Sequence, residues 1–199
     1  TVTGVQTCAL PIWQRLGAEH PWLIVPLLNL SYTCWAAGEL ARAEAVCWEV
    51  MPLLEQHQPG HERHVGVAVM LGRIRMKQER FAEAEAFFRE AMALAAVTPR
   101  AEGPLAFDKT PIKVAEALLP QAKYEEAEQL LTEAFEQLNS RDVSLLEGAM
   151  LTAHRMAEVN TLAALVDLYA ARGLAPERAH FADLLEAHPL YEDYMKGRD

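Results

Sequence analysis

Apolar and polar positions alternate at helical spacing over residues 65–98. Two stripes of apolar or small residues recur every three or four positions and are separated by a polar turn at 78–80. The members of the stripes are Val65, Val69, Gly72 and Met76, followed by Phe81, Ala84, Phe88 and Ala91. This spacing predicts two antiparallel helices whose small residues let the backbones approach while the phenylalanines fill the space beside them.

The same pattern occurs once before this stretch and once after it. Ala43 and Ala127 take the place of Ala84, at offsets of 41 and 43 residues. The flanking positions agree in size, with Leu40, Cys47 and Val50 in the earlier copy and Tyr124, Leu131 and Ala134 in the later one. Ala and Leu dominate and no stretch alternates like a strand, so the chain is predicted to be all-α.

In the last third of the chain helical periodicity continues without the repeat pattern. Residues 144–147 resemble a capping box, which predicts a helix ending near Met156. A stripe on a further helix precedes Gly173 and consists of Leu162, Leu165, Val166 and Tyr169. Pro176 is placed to start a last helix over 175–188, which we expect to cap the apolar edge.

The stretch 65–98 resembles one tetratricopeptide repeat (TPR), with Leu71 and Gly72 where that family has its Leu-Gly pair. The aligned copies match more loosely and suggest a long variant of about 42 residues. The resemblance implies antiparallel helix-turn-helix repeats stacked in a right-handed superhelical solenoid. It places repeats near 24–57, 65–98 and 108–141, a degenerate fourth at 140–172, a capping helix at 175–188 and a tail at 189–199.

Residues 2–12 are set apart because their sequence, VTGVQTCALPI, resembles a translated sequencing adapter. We therefore expect residues 1–12 to be non-native and the solenoid to extend over 13–188. On this interpretation the native chain began upstream of Trp13 and is truncated here.

Charge and cysteine usage narrow the class of partner and compartment. The formal net charge is −10, most of it contributed after residue 108, so neither nucleic acid nor an anionic membrane is expected as a partner. The longest apolar run, residues 22–28, is too short to span a bilayer.

Cys34 and Cys47 lie in apolar helical patterns, which predicts buried thiols in a reducing, cytoplasmic compartment.

No motif for catalysis, nucleotide binding or zinc binding occurs in the chain, so we expect no enzymatic activity, no cofactor and no metal. The sharpest alternative is a zinc or nickel site made by His57, His61 and His64. Their connector offers no fourth ligand of obvious geometry, so solvated loop histidines are the favoured interpretation.

A candidate peptide site follows from the TPR register. Arg73 and Lys77 are four residues apart and share a helix face with Val69, and this face lines the groove in the family. The preceding repeat contributes Asn29, Tyr32 and Trp35 to the same groove. Two alternatives stay open: the aromatic pair packs against a missing upstream repeat, or the basic residues at 73, 75, 77 and 80 form a solvated face paired with Glu79 and Glu83.

The resemblance implies a non-enzymatic module that binds a peptide or partner protein in a concave groove. Aromatic surface beside two cations suits a ligand with an acidic group or free carboxylate next to an apolar anchor. The alternative is a TPR regulatory segment of a larger bacterial transcription regulator or signalling enzyme, truncated at its N-terminus. The sequence indicates no oligomeric state.

Overall fold

The structure is a computed structural model that describes residues 17, 19–97, 110–140, 143–144 and 146–196. In this part of the chain the regular structure is entirely helical, as predicted, with nine α-helices and two short 3₁₀ turns. The helices are α1 (Ile24–Ala36), α2 (Leu40–His57), α3 (Arg63–Lys77), α4 (Phe81–Val97), α5 (Thr110–Leu118), α6 (Tyr124–Asn139), α7 (Gly148–Arg172), α8 (Ala175–Glu186) and α9 (Tyr191–Lys196).

The chain forms two compact units, Thr1–Pro99 and Arg100–Asp199. In the first unit α1 packs on α2 and α3 packs on α4, and the two pairs are joined by contacts of α3 with both α1 and α2. In the second unit α5 packs on α6, and α7 packs on α5, α6, α8 and α9. The predicted stacking of helix hairpins is thus confirmed within each unit.

Four helix hairpins turn in the same way. Each first helix ends in one residue with positive φ, namely Gly38, Glu79, Ala122 or Gly173. The N–H of the next residue then donates to a carbonyl five positions back: Glu39 to Cys34, Arg80 to Arg75, Lys123 to Leu118 and Leu174 to Tyr169. This left-handed C-terminal cap satisfies carbonyls that the helix end would leave unpaired, and the next helix begins immediately after it. The turns also define the register of the fourth hairpin, α7 with α8, which the sequence pattern left unassigned.

Two helices of the first unit approach closely where Gly72 of α3 meets Phe88 of α4. A Cβ added at Gly72 would lie 2.4 Å from Cε1 of Phe88, well inside van der Waals contact. Phe88 itself is fully buried. Eight residues of the aligned repeat pattern and its Leu-Gly pair are buried: Leu71, Gly72, Ala84, Phe88, Ala91, Ala127, Leu131 and Ala134. This confirms the register of the second and third hairpins.

The core of the first unit is formed by the inner faces of α1, α2 and α3. It includes Ile24, Cys34, Cys47, Leu54 and Ile74, none of which is exposed to solvent. Cys34 and Cys47 are free thiols, and burial raises the pKa of Cys47 to about 11. Their predicted burial is confirmed, and a thiol kept protonated in this way is a poor nucleophile.

The prediction of a helix break after Met156 is wrong. Residues 148–172 form one helix of 25 residues. No glycine or proline interrupts the stretch 157–161, and buried positions continue through it at helical spacing: His154, Ala157, Thr161, Leu165 and Leu168. The hydroxyl of Thr161 donates to the carbonyl oxygen of Ala157 at 2.8 Å, which satisfies it inside the helix.

Two helix boundaries near the C-terminus also differ from the prediction. α7 begins at Gly148 with Glu147 at the N-cap, so the capping box over 144–147 is not formed. The stretch predicted as a tail contains α9, which packs on α7 through the aromatic residues Tyr191 and Tyr194. The proposed non-native residues 1–12 lie outside the described part of the chain.

Candidate protein-binding surface on the first unit

The six residues of the predicted site lie on two neighbouring helices of the first unit. Asn29, Tyr32 and Trp35 are on α1, and Val69, Arg73 and Lys77 are on α3, which contacts α1. Asn29, Tyr32 and Lys77 are exposed, whereas the other three are half-buried. The core-facing sides of the two helices consist of other residues, such as Leu27, Leu30, Leu71 and Ile74, although Trp35 also packs partly against this core.

Four of the six residues come together around the indole of Trp35. The Lys77 Nζ lies 4.6 Å from the ring centroid, and the Arg73 Cζ lies 5.3 Å from it. The Tyr32 ring is 5.7 Å away from the Trp35 ring, tilted by 38°. A cation over an indole face at such distances is attracted by about 0.5 to 1 kcal/mol at an exposed site. We call Tyr32, Trp35, Arg73 and Lys77 the aromatic–basic cluster.

The two cations of the cluster have no carboxylate partner among the described residues. This contrasts with Arg42, Arg80 and Arg89 in the same unit, which pair with Glu39, Glu83 and Glu85. Arg63 is held by the side chains of Gln58 and His61. In a chain with a net charge of −10, two cations held only against an aromatic ring leave local positive charge available to an anionic ligand.

Asn29 and Val69 are less involved in this arrangement. The backbone carbonyl of Asn29 accepts a hydrogen bond from the Thr33 hydroxyl at 2.8 Å, while its side chain is on the exposed face of α1. Val69 is half-buried one helical turn before Arg73. Both residues flank the aromatic–basic cluster on the same helices but do not join its ring contacts.

Sequence reasoning missed an apolar extension of this surface along α1. Val25 of α1 is 47% exposed, against 53% for Tyr32, and Trp22 in the 3₁₀ turn before α1 is 72% exposed. Val25 lies seven residues before Tyr32 and therefore on the same helix face. The sequence contains a signal for this extension. Asn29 and Val25 lie three and seven residues before Tyr32, at the spacing that places residues on one helix face.

Arg75, grouped with the other basic residues in the sequence, is buried and does not belong to the solvated face. Its two terminal nitrogens donate to both carboxylate oxygens of Glu44 on α2, at 2.7 and 2.6 Å. Its Nε donates to Glu83 on α4 at 3.1 Å, and Gln78 accepts a further bond at 2.9 Å. The hydrogen bonds from Arg75 hold the pKa of the Glu44 carboxyl below its usual value. Arg75 is thus a link between three helices.

The pairing predicted for the basic residues is therefore correct for only part of the group. Glu83 accepts from Arg75 and from Arg80, the latter at 2.6 Å. Glu79 forms no ion pair within the described part of the chain and instead occupies the left-handed turn between α3 and α4. Arg73 and Lys77 point to a different side of α3 because they lie two residues from Arg75 in each direction.

The three histidines of the first connector are half-buried. His57 bonds through Nε2 to the carbonyl oxygen of Glu19 at 2.8 Å, and His64 bonds through Nδ1 to the carbonyl oxygen of His61 at 3.0 Å. Within the described residues no cluster of three or more His, Cys, Asp or Glu side chains has a geometry that could hold a metal ion. Nor does any described helix have the length and apolarity needed to cross a membrane.

Comparison with solved structures places the chain among TPR-like folds. It is similar to two crystal structures of a kinesin light chain-like protein from Podosopora anserina with nearly identical TPR-like repeats, one of them a point-substituted form. The substituted form gives a TM-score of 0.73 at 18% identity, covering 97% of this chain and 87% of the other. The second structure gives 0.71 at 18% identity, covering 95% and 85%.

No family model matches the sequence, and no curated protein matches it. The structural likeness at this level of identity shows the fold alone. The chain therefore has a TPR-like helical-repeat fold.

Proposed function

We propose that this chain is a non-enzymatic interaction module that binds a segment of a partner protein along α1 and α3 of its first unit. The observation that carries the proposal is the aromatic–basic cluster, in which Arg73 and Lys77 lie against Trp35 without a carboxylate partner among the described residues. Aromatic residues and arginine dominate the energetics of protein interfaces, so their convergence on an exposed helix face favours this surface over others.

The chemistry of the surface suggests what the partner segment contains. An acidic side chain or free carboxylate would supply the missing partner of Arg73 and Lys77 through charge-assisted hydrogen bonds. Exposed Tyr32 provides apolar area next to Trp35, and exposed Val25 continues the same face of α1. The proposed ligand is therefore an acidic segment with a neighbouring apolar anchor, and the acidity of the whole chain disfavours nucleic acid as an alternative.

An array of 12-residue peptides that combine acidic, basic and apolar residues in all orders tests this proposal. The full chain is compared with Arg73→Glu/Lys77→Glu and with Arg155→Glu/Arg178→Glu, which makes the same charge change in the second unit. We expect the native chain to select peptides with an acidic residue near an apolar one. The first variant should bind them at least about tenfold more weakly, equivalent to about 1.4 kcal/mol, and the control within about twofold.

The proposal is overturned if the Arg73→Glu/Lys77→Glu variant stays folded by circular dichroism and keeps every peptide at the native affinity. It is also overturned if both variants lose binding equally, because a general charge effect would then explain the result.

A further inference from the structure

The two cations of the aromatic–basic cluster lie over the ring of Trp35. Trp35 is half-buried: it packs partly against the core of the first unit, and the charged groups of Lys77 and Arg73 lie 4.6 and 5.3 Å from its ring centroid. The two side chains therefore cover part of the aromatic surface that an apolar ligand group would need. The Trp35 indole nitrogen is also buried and has no hydrogen-bond acceptor among the described residues.

An anion can draw Arg73 and Lys77 away from the ring of Trp35. Arg73 and Lys77 are like charges gathered on one ring, and no described carboxylate neutralises either of them. A cation–π contact at a partly exposed site is weaker than a charge-assisted hydrogen bond to a carboxylate. An acidic ligand group would therefore draw the two cations toward itself and away from the ring.

We propose that Arg73 and Lys77 form an anion-released cover over Trp35, which makes Trp35 the anchor site for the apolar residue of the ligand. An acidic group that engages the cations uncovers the indole, so acidic and apolar groups of one segment bind cooperatively. The site then selects a segment in which both groups are adjacent over a segment in which either occurs alone. This inference rests on the proposed function and concerns how the same surface chooses its ligand.

The test measures how well a neutral quencher reaches Trp35. Trp13, Trp22 and Trp48 are replaced by phenylalanine in the full chain, so that Trp35 is the only fluorescent indole. Acrylamide quenching is recorded with an acetylated, amidated hexaglutamate peptide and with hexaserine, at matched ionic strength. The measurement is repeated with Arg73→Gln/Lys77→Gln and with Arg155→Gln/Arg178→Gln as the matched control, and circular dichroism checks that each variant is folded.

We expect hexaglutamate, but not hexaserine, to raise the quenching constant of Trp35 about twofold in the parent and in the control. In Arg73→Gln/Lys77→Gln the constant should start at the raised value and not respond to hexaglutamate. The inference is overturned if hexaglutamate leaves Trp35 quenching unchanged in the parent, or if the glutamine variant is quenched as weakly as the parent. The peptide array measures binding and does not depend on whether Trp35 is covered. Failure of the cover is therefore distinguishable from failure of the binding surface.

Discussion

Helix α3 carries basic residues on two of its faces, and these residues have different roles. On one face Leu71, Gly72 and Arg75 are buried against α2 and α4, and the guanidinium of Arg75 is bound by Glu44 and Glu83. On the other face Arg73 and Lys77 lie against Trp35 without a described carboxylate.

The difference shows that the surroundings of a charge, and not its residue type, decide whether it stabilises the fold or remains available to a ligand. Arg75 is satisfied within the unit, and removing it would leave the carboxylate of Glu44 without its main partner and that of Glu83 with Arg80 alone. Arg73 and Lys77 contribute little to the fold, because exposed charges and cation–π contacts are individually weak. Substitutions on the two faces separate these two roles.

The largest effect is expected for the apolar contact on the buried face, through Phe88→Ala. Removing a fully buried ring that packs on Gly72 leaves a cavity between α3 and α4. Unfolding by urea should show a loss of about 3 to 5 kcal/mol. A loss below about 1 kcal/mol would mean that the α3–α4 contact is not the core of this hairpin.

Arg75→Ala should have the next largest effect, about 2 to 3 kcal/mol. This loss is smaller than that expected for a fully buried ion pair, because Glu83 is about half exposed. Water can therefore partly solvate the Glu83 carboxylate once Arg75 is removed. Arg80→Ala is the matched comparison, since Arg80 also pairs with Glu83 but is exposed, and it should cost less than about 0.5 kcal/mol. Equal losses for the two variants in urea unfolding would contradict the distinction between the faces.

The stabilising effect of Glu44 should depend on pH. Arg75 lowers the pKa of Glu44 in the folded chain, so its contribution is fully present above the unfolded pKa of about 4.3 and is lost as pH falls through the lower folded value. We expect Glu44→Gln to be less stable than the native chain by about 1 to 2 kcal/mol at pH 7. This difference should shrink in acid, as measured by thermal unfolding at several pH values.

Glu39→Gln provides the control for this pH effect, because its pair with Arg42 is exposed and 3.3 Å long. Its stability should differ from that of the native chain by less than about 0.5 kcal/mol throughout the pH series. A pH-independent deficit in Glu44→Gln would show that packing, and not the ion pair, accounts for its loss.

The smallest effect on stability is expected for Arg73→Gln/Lys77→Gln. Two cation–π contacts are lost, but the repulsion between two like charges is relieved and no described carboxylate is left unpaired, so the free energy of unfolding should fall by about 1 kcal/mol or less. A loss approaching that of Arg75→Ala would mean that the aromatic–basic cluster is part of the structural framework. Urea unfolding of the variants in parallel gives the comparison directly.

Local sequence patterns were sufficient to predict the hairpins up to α6, because each is specified by small and large apolar residues at helical spacing and by a polar turn. Gly72 and Phe88 illustrate this, since their sizes are complementary and their register follows from the sequence alone. The four-residue separation of Arg73 and Lys77 placed these two on one helix face. Their position beside Tyr32 and Trp35 was predicted only through the register that the TPR resemblance implies.

Prediction was less successful where polar residues are buried. His154 and Thr161 continue the buried stripe of α7, but their polarity hid the continuity of the helix. Arg75 was assigned to a solvated group because its main partner, Glu44, is 31 residues away and cannot be paired with it from the sequence. A usable signal existed, since Arg75 lies four residues after Leu71 and therefore on its buried face.

The most direct test of the binding surface is site-specific photo-crosslinking of the full chain in cells. Tyr32 and Trp48 are both aromatic and about half exposed, at 53% and 49%. Tyr32 lies in the aromatic–basic cluster, whereas Trp48 of α2 lies near the ring of Phe87 of α4. Each is replaced in turn by p-benzoylphenylalanine. We predict discrete products at position 32 whose crosslinked segments are acidic and apolar, no such products at position 48, and their loss from position 32 in Arg73→Glu/Lys77→Glu. Identical products at both positions, or products at position 32 that survive the charge reversal, would contradict the account.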